Sequence, residues 1–167
     1  MRMKMVVTSC SVNSIVKNQV VLYQPEIPAN TGNIVRLCAN SGTELCLIEP
    51  LGFSMDDKKL IRAGLDYHEF TPVKRFKDWA HWREENKSHV PIGLTTKTTK
   101  SFYTYDLHQP IALIFGPETR GLPESIKSEI NCARIPMADH QRSLNLSNSV
   151  AIVLYETLRY QGFPGCE

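Results

Sequence analysis

Three segments of this chain are rich in small, polar and backbone-shaping residues of the kind that surround small-molecule sites. They are "PEIPANTGN" at 25–33, "GPETRGLP" at 116–123 and "ADHQRSLNLSN" at 138–148. Each follows an apolar run that is typical of a strand, whereas a simple solvated turn needs only one Gly or Asn. Ligands of open α/β sheets bind beyond the carboxyl ends of the strands. We therefore expect these three loops to contribute to one site.

Taken one at a time, the polar residues in and near these loops also have ordinary interpretations. Asn30 is suited to cap a helix, and Gly116 is suited to a turn that needs positive φ. Arg36, one turn into a helix, is suited to solvent, and Tyr155, in a helix rich in Val and Leu, to the core. Ser143 has the hydroxyl of a nucleophile, but no G-x-S-x-G motif surrounds it. The residue types alone therefore leave the chemistry open.

The composition and the missing motifs argue against several classes of protein. Neither G-x-G-x-x-G nor G-x-x-x-x-G-K-[ST] occurs, which disfavours a dinucleotide-dependent oxidoreductase and a P-loop NTPase. The five cysteines include no C-x-x-C pair and the histidines are scattered, so we expect no metal and a reduced, cytoplasmic chain. No run of about 18 apolar residues occurs, so no membrane span is predicted. The net charge of +2 does not by itself indicate a nucleic-acid partner.

The apolar runs predict an α/β fold with a mostly parallel sheet flanked by helices. A strand at 20–23, a helix at 30–42 and a strand at 44–50 form a strand–helix–strand unit. Asn30 or Thr31 is placed to cap this helix, and Gly42 is placed to end it in the left-handed conformation.

The remaining elements continue the same alternation along the chain. They are a helix at 56–64, a strand at 67–70, a helix at 75–86, strands at 90–95 and 111–115, a helix at 123–130, a strand at 133–137 and a helix at 143–162. Trp79 and Trp82 in the third helix are predicted to face the core rather than to stack on bases. We expect one domain over residues 19–167 and a flexible or loosely packed extension at 1–18.

Three motifs, taken in chain order, resemble the signatures of the SPOUT methyltransferases. They are "NTGNIVR" at 30–36, "LIFGPETRGLP" at 113–123, and "RIPM" followed by "RSLNLSNSVAIVLYE" between 134 and 156. Within that superfamily, "VLYQPEIPANTGNIVRLCAN", "RAGLDYHEF" and "LTTK" resemble the YibK-like group of small tRNA wobble-nucleotide 2′-O-methyltransferases. Gln24 stands where this group often has an acid.

The resemblance implies an S-adenosylmethionine-dependent RNA 2′-O-methyltransferase whose C-terminal part forms a deep trefoil knot around the cofactor. Periodicity alone would not predict a knotted chain. The implied cofactor neighbours are Leu94, Gly116, Glu118, Ile135, Ser143 and Leu144. In this interpretation Gly116 lets the backbone approach the ligand closely, because it has no Cβ. No metal is implied.

The resemblance also implies roles for the candidate catalytic residues. Arg36 matches the family's essential arginine. Because a guanidinium stays protonated at neutral pH, we expect Arg36 to stabilise the reacting alkoxide rather than to act as a base. Asn30 would orient Arg36 or the ribose, Ser143 and Asn145 would position the substrate, and Tyr155 would act through a dimer interface.

The implied assembly is a cytoplasmic homodimer, and the implied substrate is the wobble nucleotide, C or cmnm5U, of leucine tRNAs. Candidate contacts to RNA phosphates are Lys58, Lys59, Arg62, Lys97, Lys100 and Arg120. Two alternatives stay open. One is a SPOUT 2′-O-methyltransferase that acts on another RNA, such as ribosomal RNA, and the other is a non-catalytic RNA-binding protein that keeps the fold.

Overall fold

The computed structural model of the protein describes residues 17–55 and 73–166. Three predicted features lie outside the described residues: the helix at 56–64, the strand at 67–70 and the basic side chains of Lys58, Lys59 and Arg62. Residues 1–16 of the predicted extension lie outside them too. Asn18, at the end of that extension, is buried, and its side chain exchanges hydrogen bonds with Gln161 near the other end of the chain.

The described residues form a six-stranded sheet in which every strand pair is parallel, as predicted. In chain order the elements are β1 Gln19–Tyr23, α1 Pro28–Ser41, β2 Glu44–Ile48, β3 Val73–Phe76, α2 Trp79–Glu85, β4 Val90–Leu94, a 3-10 turn Phe102–Thr104, β5 Ile111–Phe115, α3 Glu124–Lys127, β6 Asn131–Ala133 and α4 Leu146–Tyr160. The strand order is β3-β2-β1-β5-β4-β6. The order in which the strands are added to the sheet therefore reverses between β1 and β5, although the strands themselves stay parallel. Open α/β sheets bind ligands at such a point.

The sheet is buried on both faces, which explains why its central strands are unbroken apolar runs. Val20 and Leu22 of β1 face a core that includes residues of α1 and α4. Val21 faces the opposite core, which includes Trp82 of α2 and Ile126 of α3. Among the described residues, no helix is long and apolar enough to cross a membrane.

The helix predicted at 75–86 is wrong in its first part. Residues Val73–Phe76 form β3, and Phe76 pairs in register with Ile48 of β2. The helix begins only at Trp79, because the carboxylate of Asp78 accepts a hydrogen bond from the His81 N–H at 2.8 Å and so caps it. Trp82 is fully buried, as predicted, and Trp79 is half-buried and stacks on it.

Other element boundaries also differ from the predicted ones. α1 begins at Pro28, two residues early, because Pro at the first helical position needs no N–H partner. α4 begins at Leu146 rather than 143, β6 ends at Ala133 rather than 137, and α3 is confined to Glu124–Lys127. Gly42 does end α1 in the left-handed conformation, at φ +64°, as predicted.

Candidate cofactor cavity and active site

A cavity of about 640 Å³ lies at the carboxyl edge of the sheet. Its walls come from the residues that follow β1, β4, β5 and β6, together with the start of α4. Two of these strands, β1 and β5, flank the point where the strand order reverses. The three unusual loops therefore line one cavity, and that this cavity is a binding site stays a prediction.

Most of the predicted site residues line this cavity. They are Asn30, Leu94, Gly116, Glu118, Ile135, Ser143, Leu144 and Asn145. Two others do not line it: Arg36 is exposed on α1, and Tyr155 is 44% exposed on α4. The interpretation of Tyr155 as a core side chain is wrong, because the buried face of α4 is formed by Val150, Val153, Leu154, Thr157 and Leu158.

A chain of side-chain hydrogen bonds joins the loops around the cavity. Asn145 caps α4, since its Oδ1 accepts hydrogen bonds from the N–H groups of Ser147 at 2.9 Å and Asn148 at 3.3 Å. Its Nδ2 then donates to Asn30 Oδ1 at 3.0 Å. Asn30 in turn donates from Nδ2 to Glu118 Oε1 at 3.0 Å. The chain fixes the orientation of both amides, because each uses its oxygen as acceptor and its nitrogen as donor.

Glu118 supplies the negative charge at the start of α1. Its carboxylate accepts hydrogen bonds from the backbone N–H of Glu26 at 2.8 Å and of Ile27 at 3.2 Å. Ile27 is the N-cap residue, and its own side chain caps nothing. A carboxylate is favoured there by the helix dipole. The prediction that Asn30 or Thr31 caps α1 is therefore wrong: both lie inside the helix, and the acid comes from a loop distant in sequence.

Glu26 is a residue of this region that the sequence interpretation missed. Its Oε2 accepts hydrogen bonds from the Thr119 N–H at 3.0 Å and from the Thr119 hydroxyl at 2.7 Å. Its Oε1 lies 3.4 Å from Arg120 Nε. These hydrogen bonds from Thr119, aided by Arg120, lower the pKa of the Glu26 carboxyl from its ordinary value, so it is charged at neutral pH. The only signal in the sequence was its place in the first unusual loop.

Gly116 is required by the chain itself. A Cβ at this position would lie 2.2 Å from the backbone nitrogen of Leu122 and 2.3 Å from the carbonyl carbon of Gly121. The packing therefore explains this glycine by a contact with the chain itself, whereas the resemblance in sequence implied a close approach to a ligand. The space beside its Cα is filled by the returning 121–122 backbone, which turns at Gly121 with φ +69°.

Within residues 17–55 and 73–166, three cationic side chains belong to the cavity wall. Lys97 and Arg120 were predicted as RNA contacts, and Arg142 was not, although it precedes Ser143 in the third loop. The ammonium of Lys100, also predicted, lies 3.9 Å from the centre of the Tyr105 ring and outside the lining. The cavity thus combines apolar side chains with cations from separate loops.

The cavity suits a nucleoside-sized ligand with an apolar ring and a few polar groups. Its volume lies within the range of ordinary small-molecule sites. Leu94, Ile135 and Leu144 provide apolar surface, while Ser143 and the backbone of the 116–121 loop provide polar groups. Residues 17–55 and 73–166 contain no group of three or more His, Cys, Asp or Glu that could hold a metal ion.

Comparison with known proteins places the fold and the cavity in a family. Residues 17–155 match the SpoU rRNA methylase family. The chain belongs to this family. It is 52% identical over 149 residues to the tRNA (cytidine(34)-2′-O)-methyltransferase of Escherichia coli strain K12, covering 87% of this chain and 95% of that relative.

Two solved structures share the fold of this SpoU-family chain. One, described as giving structural insights into the 2-OH methylation of C/U34 on tRNA, has a TM-score of 0.84 and 37% identity, covering 87% of this chain and 97% of that one. The other is the SpoU methyltransferase AviRb from Streptomyces viridochromogenes in complex with AdoMet. Its TM-score is 0.78 at 26% identity, covering 90% of this chain but 59% of AviRb.

Proposed function

We propose that this SpoU-family chain transfers a methyl group from S-adenosylmethionine to the ribose 2′-hydroxyl of the wobble nucleotide of tRNA. The observation that carries the proposal is the 52% identity to a tRNA (cytidine(34)-2′-O)-methyltransferase along 95% of that enzyme's length. The geometry agrees with it, since every cofactor residue implied by the motifs lines one cavity of suitable size.

The cavity residues divide into those that bind the cofactor and those that position them. Bound S-adenosylmethionine would supply an electrophilic methyl group on a sulfonium. Leu94, Ile135 and Leu144 would contact the adenine ring, and Gly116 and Ser143 would border its polar atoms. Asn30, Asn145 and Glu118 would hold these walls in place through the hydrogen-bond chain that joins them.

The reaction needs a 2′-hydroxyl that gives up its proton as the oxygen attacks the methyl carbon. Arg36 is a poor base because its guanidinium stays protonated. Its cation would instead grip the neighbouring phosphate and stabilise the developing negative charge on the oxygen. The proton would pass to a phosphate oxygen of the RNA, the methyl group would bond to the 2′-oxygen, and S-adenosylhomocysteine would leave.

A homodimer would unite residues that a single subunit keeps apart. Arg36 on α1 and Tyr155 on α4 are exposed, lie outside the cavity lining and belong to helices that contact each other. An interface through these helices would bring Arg36 of one subunit to the cavity of the other. Such an interface would also account for two large exposed side chains on α4, Tyr155 at 44% and Ile152 at 38% exposure.

The C-terminal trefoil knot belongs to the same proposal. The segment after β6 runs beside the segment that precedes β5: Arg134 donates from its N–H to the Lys100 carbonyl, and its carbonyl accepts from the Phe102 N–H, both at 2.9 Å. This pairing supports a C-terminal segment held within an earlier loop. The loop after β6 then leads into the cavity wall and α4.

For the substrate, we propose C or cmnm5U at position 34 of leucine tRNAs in the cytoplasm. An anticodon loop presents splayed nucleotides whose 2′-hydroxyl is accessible. Lys97, Arg120 and Arg142 would provide cations for its phosphates. Ribosomal RNA is the less favoured target, because the chain spans 95% of its tRNA-modifying relative but only 56% of a solved rRNA methyltransferase from Sinorhizobium meliloti.

Incubation with tritium-labelled S-adenosylmethionine tests this proposal against its alternatives. Total tRNA from cells that lack the gene should take up label, whereas ribosomal RNA from the same cells should not. Label in ribosomal RNA alone would show that ribosomal RNA, not tRNA, is the substrate. Label in neither RNA, together with tight tRNA binding, would favour a non-catalytic RNA-binding protein.

A further inference from the structure

Glu26 lies behind the cavity wall yet is bonded directly to it. Among the described residues, those lining the cavity include Glu118, Thr119 and Arg120 but not Glu26. Both oxygens of the Glu26 carboxylate nevertheless point to this loop: Oε2 accepts from the N–H and the hydroxyl of Thr119, and Oε1 faces Arg120. We refer to the Glu26–Thr119 hydrogen bonds as the latch.

A second set of hydrogen bonds joins the same two loops in the opposite direction. While the Glu26 carboxylate holds Thr119, the carboxylate of Glu118 accepts from the backbone N–H of Glu26 itself and of Ile27. Two neighbouring residues of the loop after β5 are thus tied to two neighbouring residues of the loop after β1. The two loops are fixed in position and in rotation, because the bonds run in both directions.

The backbone around Glu26 is also held by the loop that follows β2. The Gly52 N–H donates to the Pro25 carbonyl at 2.9 Å. A Cβ on Gly52 would lie 2.8 Å from the Glu26 Cα. The backbone of Glu26 therefore contacts the loop after β2, while its carboxylate is bonded to Thr119 of the cavity wall.

We propose that Glu26 is a positioning residue that holds the 116–121 loop in its cofactor-binding position through Thr119. The inference rests on the proposed function only in taking S-adenosylmethionine as the ligand of the cavity. Glu26 touches neither cavity nor ligand, so its effect must pass through the loop. Without its carboxylate the Thr119 N–H and hydroxyl lose their acceptor, whereas the Glu118 bonds to the backbone remain. The wall would loosen without the fold being lost.

The expected effect is on affinity for the cofactor. A wall that is no longer preorganised must be ordered when the ligand binds, and that cost weakens binding. Hydrogen bonds to a charged acceptor are among the stronger ones in proteins, so we expect about a tenfold rise in Kd when the latch is removed.

Calorimetry with S-adenosylhomocysteine on the full chain measures this effect. Glu26→Ala removes both hydrogen bonds of the latch and Thr119→Val removes the hydroxyl bond alone, so each should raise the Kd and Glu26→Ala should raise it more. The double variant should bind no more weakly than Glu26→Ala, because that variant already lacks the acceptor of both bonds. Thr119→Ser keeps the hydroxyl and should bind like the wild type. Glu84→Ala is the matched control: this glutamate is exposed on α2 and lies outside the cavity lining, so the variant should leave this Kd unchanged. Wild-type affinity in both Glu26→Ala and Thr119→Val would overturn the proposal.

Amide hydrogen exchange in the absence of ligand separates the latch from the proposed function. Exchange in a peptide covering 118–121 should rise in Glu26→Ala and Thr119→Val and stay at the wild-type rate in Thr119→Ser. If exchange rises as expected but the wild type binds no S-adenosylhomocysteine, the proposed function fails while the latch stands. Unchanged exchange in both latch variants would contradict the latch itself.

Discussion

The side-chain amide of Asn145 donates to the side-chain oxygen of Asn30 at 3.0 Å, across 115 positions of sequence. Asn30 in turn donates a hydrogen bond to Glu118. The cap of α4, the first turn of α1 and the loop after β5 are therefore linked by side-chain hydrogen bonds. The cavity is therefore built by connected hydrogen bonds rather than by three independent loops.

Replacing Asn30 tests this connection with a matched pair of variants. Asn30→Ala removes two hydrogen bonds and should lower the free energy of unfolding by about 1–3 kcal/mol. Asn30→Asp should cost more at neutral pH, because a second carboxylate would face Glu118 where Asn30 Nδ2 now lies at 3.0 Å. The excess cost should shrink as the pH falls to about 4, where one proton can be shared.

Denaturant unfolding at the two pH values measures both variants. Equal stability of Asn30→Asp and Asn30→Ala at neutral pH would mean that Asn30 and Glu118 are not in contact.

Gly116 should tolerate no side chain. A Cβ there meets backbone atoms of 121–122 that cannot move without reshaping the loop, so Gly116→Ala should cost about 3 kcal/mol or more. Gly42→Ala is the control, because the space around Gly42 is open and only its left-handed φ of +64° is unfavourable, at about 1 kcal/mol. Unfolding curves that rank the two variants in the opposite order would refute this packing.

The charge of Glu26 predicts a dependence of stability on pH. Because hydrogen bonds from Thr119 lower the pKa of Glu26 in the folded protein below its ordinary value of 4.5, the charged latch stabilises the fold above that pH. The stabilisation is lost as the pH falls through the lower folded value. The Tm difference between the wild type and Glu26→Gln should therefore be greatest near neutral pH and vanish in acid.

Glu84→Gln, at an exposed position of α2, provides the control for that titration. This variant should have nearly the same Tm as the wild type at neutral pH, because the Glu84 side chain is exposed. A Glu26→Gln difference that stays constant into acid would show that the charge of Glu26 is not what stabilises the latch.

The sequence was informative where structure depends on neighbours along the chain. β1, β2, β4 and β5 were predicted to within two residues, since strands buried on both faces are unbroken apolar runs. The end of α1 at Gly42 followed from the freedom of glycine to take positive φ. The shared position of the loops followed from the geometry of parallel sheets.

The features that could not be predicted depend on residues far apart in the sequence. Glu118 replaces a local cap on α1 because its loop folds back to Ile27 across 91 positions. Gly116 is needed because the backbone of Leu122 packs against it. Phe76 and Trp79 have the spacing of one helix face, although Phe76 is the last residue of β3 and Trp79 the first of α2. Tyr155 lies on the exposed face of a helix whose other face is apolar enough to suggest burial all round.

Tyr155 should be needed for assembly rather than for the stability of the subunit. Tyr155→Ala should convert a dimer into monomers in sedimentation experiments and change the unfolding of the subunit little, because the side chain is 44% exposed. Tyr160→Ala is the matched control: Tyr160 is 38% exposed, packs on His108 and lies about 140° around α4 from Tyr155. A wild-type protein that sediments as a monomer, or a dimeric Tyr155→Ala, would contradict the proposed interface.

The central claim is that this cavity serves methyl transfer to the ribose at position 34 of tRNA with Arg36 beside it. Mass-spectrometric mapping of tRNA after reaction with the purified protein and S-adenosylmethionine tests it most directly. The account predicts one new 2′-O-methyl group, at nucleotide 34, which Arg36→Ala abolishes and Arg36→Lys restores at most in part, while both variants bind S-adenosylhomocysteine like the wild type. Methylation at another nucleotide, or undiminished methylation by Arg36→Ala, would contradict it.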